Sequence, residues 1–77
     1  MRELPIGCKA RYDEIERIGY ELLDQFINGN RSHVLTELMD FEDPKAMLAV
    51  AAFMLMEARR SGLGIQTDLI DFFMESA

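Results

Sequence analysis

Apolar residues recur at three- and four-residue steps through Tyr12, Ile15, Ile18, Gly19, Leu22, Leu23 and Phe26, the spacing of one helical face. Gly29 sits where a left-handed cap belongs, so the pattern predicts a first helix over about 9–28. A second, shorter helix is expected over about 31–41, capped by Asn30 or Ser32, with Val34, Leu35, Leu38 and Met39 on one side. Asp43-Pro44 then opens a third, because Asp43 can accept from free N–H groups and Pro44 at the first helical position loses no hydrogen bond. That helix runs to about residue 61, with Arg59 and Arg60 opposing its dipole and Gly62-Leu63-Gly64 ending it. Thr67 is the expected cap of a two-sided final helix over about 68–76, where Leu69, Ile70, Phe72 and Phe73 oppose Asp68, Asp71 and Glu75. Pro5 and Gly7 leave residues 1–8 as an unassigned arm.

The third helix has the least ordinary pattern. From Ala46 to Met56 it carries no polar residue, and a helix apolar on every side must be covered on every side. In 77 residues there is little else to cover it. The expected fold is therefore all-α: one small four-helix domain over residues 1–77 with the third helix central. One side of that helix is a candidate self-association surface, with Met47, Val50 and Met54 joined by Phe72 and Phe73 of the last helix, in a homodimer of twofold symmetry. The six methionines suit either a gap-filling core or an adaptable interface.

Composition narrows the class. With 49% hydrophobic and 29% charged residues the chain reads as a folded domain rather than a disordered tail. Cys8 is the only cysteine, so no disulfide forms within the chain, and a reducing compartment, the cytoplasm, is the expectation. The N-terminal residues lack the apolar core of a signal peptide, and the run from Ala46 to Met56 is shorter than the roughly 18 residues that suggest a membrane span.

A net charge of −6 disfavours direct nucleic-acid binding, which draws its affinity from Lys and Arg on phosphates. It favours a basic protein partner. Asp13, Glu14, Glu21 and Asp24 fall on one face of the first helix, with Arg17 among them, and Asp40 and Glu42 add a second acidic segment. These six are the candidate partner-binding residues, able to imitate a phosphate backbone and occupy a basic nucleic-acid-binding groove. The bland alternative is a solvated face stitched by Asp13–Arg17 and Arg17–Glu21 pairs four residues apart.

Candidate chemistry is sparse. His33 is the only histidine and has no zinc-ligand or relay spacing with Cys8. The acidic run Asp40-Phe41-Glu42-Asp43 lacks the alternating ligands and central glycine of a calcium loop, and no Glu-x-x-His pair suggests a di-iron bundle. Neither an enzyme nor a cofactor is expected. A helix–turn–helix reader with Arg31, Ser32 and His33 opening its second helix has the right outline, but Glu37 and Asp40 on that helix would be repelled by phosphates.

The profile, very short, acidic, helical and without catalytic residues, is similar to small inhibitor proteins made by phages and plasmids, anti-CRISPR and anti-restriction proteins among them. It rests on composition and on no specific motif, and it implies a non-enzymatic binder of a host protein. The competing expectations are a structural or regulatory subunit that docks through an apolar Met/Phe surface and, third, a small helix–turn–helix DNA-binding regulator.

Overall fold

The computed structural model describes residues 4–76 and forms four helices with no strand among them: α1 Cys8–Ile27, α2 Arg31–Met39, α3 Pro44–Arg60 and α4 Gln66–Ser76. The punctuation that delimits them is visible in the backbone. Gly29 takes a φ of 86°, closing α1 while the amides of Asn28 and Asn30 bond back to the carbonyls of Asp24 and Gln25. Asp43 caps α3, its Oδ1 accepting from the Lys45 amide at 3.0 Å, with Pro44 at the first position. Gly62 and Gly64, at φ 64° and 70°, turn the chain from α3 into α4.

Three local expectations are corrected. Thr67 lies inside α4 rather than capping it, because the helix begins at Gln66 and the Leu69 amide bonds to the Ile65 carbonyl. Asn30 precedes α2 but its side chain turns back to donate to Gln25 Oε1 at 2.6 Å, so its backbone carbonyl alone receives the Val34 amide. Within the expected arm, Leu4 packs against the core, Arg11 donates to the Pro5 carbonyl, and Cys8 already belongs to α1; the first three residues lie outside those described.

Helix α3 packs against all three other helices, most extensively against α1. Ala46, Val50, Met54 and Ala58, four residues apart, form its inward ridge and meet Ile18, Leu22, Leu23 and Phe26 of α1, Val34 and Leu38 of α2, and Leu69 and Phe72 of α4 in one cluster. The two long helices run side by side in the same direction, since Arg11 reaches Asp43 at 3.6 Å near their starts and Arg60 reaches Tyr20 Oη at 3.3 Å further along. The helices approach closely at Gly19, where a Cβ would stand 3.0 Å from Phe53 Cε1 and nearer still to Cδ1. The Phe53 ring lies over this gap and meets Tyr20 edge-on, centroids 5.2 Å apart.

Candidate interaction surface

Because α3 is apolar on all sides and only three helices surround it, part of it stays uncovered. Lys45, Leu48, Ala52, Met56 and Arg59 share one side of the helix, and all are exposed, Leu48 at 63% and Met56 at 69%. Two rows of partly covered apolar residues flank the stripe. Toward α1 an open cleft of about 650 Å³ is lined by Tyr12, Ile15, Ala49, Phe53 and Met56, with Arg59 and Arg60 at one end. Toward α4, Leu55, Met56 and Arg59 stand beside Gln66, Thr67 and Ile70, while Met47, Leu48 and Ala51 stand beside Phe73 and Ser76. Exposed Ile70 and Met74 extend the apolar surface over α4. Monomers rarely leave contiguous apolar surface of this kind open without a binding role.

The residues expected to form a self-association surface are only partly there. Val50 and Met54 have no exposed surface, and Phe72 is buried with its ring 5.4 Å from that of Phe26. These three belong to the monomer's own core. Met47 and Phe73 are half-buried at the α2–α3–α4 junction. The uncovered side is the opposite one, Leu48–Ala52–Met56. A helix with eleven successive apolar residues does not declare its inward side, but Lys45 and Arg59 bracket that side in phase with Leu48, Ala52 and Met56, and this was the available signal. Met39, expected with the apolar side of α2, is likewise exposed.

The acidic candidates of α1 do share an exposed face, but they are engaged with cations on it. Lys9 Nζ lies 3.2 Å from Asp13, and Arg17 pairs with Glu14 and, at 3.6 Å, with Glu21. The expected Asp13–Arg17 pair is replaced because Arg17 is taken by its other two neighbours and Lys9 stands one turn before Asp13. Asp24 accepts from Asn28 Nδ2 at 3.4 Å. Asp40 and Glu42 belong to the α2–α3 connection, exposed on either side of buried Phe41.

One carboxylate escaped the sequence reading. Glu57 is 8% exposed at the α1–α3 seam, where Arg60 donates to both its oxygens and Ser61 Oγ donates at 3.2 Å. The Arg60 hydrogen bond holds its carboxyl below the ordinary carboxylate value, against burial, which acts the other way. Its spacing to Arg60, three residues on, was visible; its burial was not.

His33 and Cys8 are both exposed. Among the described residues no group of three or more His, Cys, Asp or Glu side chains converges to hold a metal ion, and no helix is long and apolar enough to cross a membrane. The cations that a DNA reader would have to gather have local partners: Lys9 pairs with Asp13, Arg11 with Asp43, and Arg31 stacks 4.5 Å above the Phe26 ring. Arg2 lies outside the described residues.

No protein-family model, no curated protein and no solved structure matches the chain.

Proposed function

We propose that the chain is a non-enzymatic protein-interaction module that docks through the outer side of α3. The supporting observation is the exposure of Leu48, Ala52 and Met56 on the central helix, directly opposite its fully buried ridge. Large side chains left in water on a core helix give up burial worth about 1.5–3 kcal/mol each, which docking recovers. The carboxylates of α1 then serve solubility and long-range steering rather than the contact itself.

A second reading keeps the acidic face of α1 as the contact, set against a basic protein such as one with a nucleic-acid-binding groove. Four carboxylates share that face with only Lys9 and Arg17, so it retains negative charge after its internal pairing. Salt and mutation separate the two. The tagged protein is used to capture partners from a cell extract, and each capture is repeated at low and moderate ionic strength. Docking through α3 predicts binding that weakens only modestly with salt, because the apolar contact dominates, and that is lost in the Leu48→Asp, Met56→Asp variant. Binding that survives that change, weakens steeply with salt, and disappears when Asp13, Glu14, Glu21 and Asp24 are reversed together would overturn it in favour of the acidic face.

A further inference from the structure

The charges around the uncovered apolar surface identify what fits it. In an acidic chain, the outer side of α3 is basic at both ends, Lys45 and Arg59, with Leu48, Ala52 and Met56 between. The outer side of α4 has the opposite character: exposed Ile70 and Met74, at 48% and 73%, accompanied by Asp68, Asp71 and Glu75. One surface is apolar with cations, the other apolar with carboxylates, and they are adjacent on the same molecule.

The two helices are antiparallel, joined by the short turn around Gly62 and Gly64. Their levels are fixed by the groove between them, with Arg59 beside Gln66 and Thr67 at one end and Leu48 beside Ser76 at the other. A twofold axis parallel to the pair, lying just outside the groove, would place α3 of one copy across α4 of the other at the same levels. Met56 would then meet the partner's Ile70, and Ala52, small enough to admit a long side chain, would meet the partner's Met74. Arg59 would stand nearest the partner's Asp68, with Asp71 about one turn further along, and Lys45 would lie at the end that carries the partner's Glu75. Every contact occurs twice, as an isologous interface requires.

We infer that the occupant of the α3 surface is a second copy of this chain, docked with its α3 on the first copy's α4. The inference rests on the docking reading above and adds the partner and its register. The obvious alternative pairing, α3 against α3 about Ala52, would set Lys45 against the partner's Arg59 at both ends, a like-charge contact that disfavours it. Charge complementarity selects the α3–α4 arrangement over that one.

The test uses two variants at exposed positions, Lys45→Glu with Arg59→Glu, and Asp68→Lys, Asp71→Lys and Glu75→Lys together, each checked for native helical content by circular dichroism. Light scattering over a concentration series gives the molar mass. The wild type is expected to dimerise, each variant alone to dimerise at least tenfold more weakly, and a 1:1 mixture to recover the wild-type dimer. Recovery follows because the mixed pair restores opposite charges in both halves of the interface. Should a variant misfold, the wild-type dimer's weakening with rising salt tests the same charge pairs, and a salt-independent dimer overturns the register. A wild type that stays monomeric throughout overturns the inference while leaving docking on another protein intact. A mixture that fails to recover also overturns it, and a dimer strengthened by Arg59→Glu overturns it in favour of the α3–α3 pairing. If Leu48→Asp with Met56→Asp leaves both the dimer and extract capture unchanged, the docking reading itself fails.

Discussion

Replacing Gly19 by alanine should destabilise this protein although it removes a glycine from the interior of a helix. On propensity alone the change would stabilise α1 by about 1 kcal/mol. Against that stands Phe53, whose Cε1 and Cγ would lie 3.0 and 3.2 Å from the new methyl group, with Cδ1 closer. The ring must move, and overpacking of this sort costs about 1–3 kcal/mol. Moving it also disturbs the edge-on contact with Tyr20, a type of pair worth about 0.5–1.5 kcal/mol. Phe53 is half-buried and borders the open α1–α3 cleft, so it can swing outward and the cost falls at the lower end of these ranges. The expected net loss is about 0.5 kcal/mol, read as a thermal midpoint about 2–4 °C lower for a domain of this size. The discriminating step is to repeat the substitution in a Phe53→Ala background. With the ring gone, Gly19→Ala should raise stability by about 0.5–1 kcal/mol, a reversal of sign that measures the coupling between the two positions. Urea titrations followed by circular dichroism supply all four values. If Gly19→Ala is stabilising in the parent chain as well, the close approach does not constrain the packing of α1 on α3 and the reasoning is wrong.

Met54, with no exposed surface, should cost about 2–5 kcal/mol as alanine, half or more of the about 3–5 kcal/mol that a core of this size supplies; the urea midpoint at 25 °C, followed by the helical signal at 222 nm, reads this. Gly29→Ala should destabilise by about 1–2 kcal/mol through its left-handed backbone alone, since open space surrounds the position, and asparagine there should be tolerated better in the same urea titration. Glu57 binds its proton less readily in the fold than in the unfolded chain, so its contribution is present above its unfolded value near 4.5 and is lost as pH falls through the lower folded value. Urea midpoints measured from pH 7 down to pH 3 should therefore fall less steeply in Glu57→Gln than in the parent. Asp43→Ala should cost about 0.5–2 kcal/mol by removing the cap of α3, again read from the urea midpoint.

Local signals determined most of the fold. Glycines at 29 and 62, the Asp43-Pro44 start and the period of the α1 stripe delimit helices to within two residues of those observed. Each of these acts through its own backbone or its immediate neighbours, which is why one chain read alone suffices. The all-α class follows from the same periods, as does the central position of α3, whose apolar run requires cover on several sides. Acidic residues of α1 were placed on one face correctly for the same reason, since residues four apart on a helix are neighbours whatever lies behind them.

Direction was what tertiary structure alone decided. Val50 and Leu48 are equally apolar, yet one is fully buried and the other mostly exposed, because three helices cover the Val50 side and no element among the described residues covers the other. The same asymmetry removed Val50, Met54 and Phe72 from the expected self-association surface and drew Glu57 into the α1–α3 seam. Gly19 reads as one more small residue in the α1 stripe until Phe53, thirty-four positions further along, is laid against it. Burial and close approach depend on contacts between elements distant in sequence, so period and capping determine where helices lie along the chain but not which side of an apolar helix meets water.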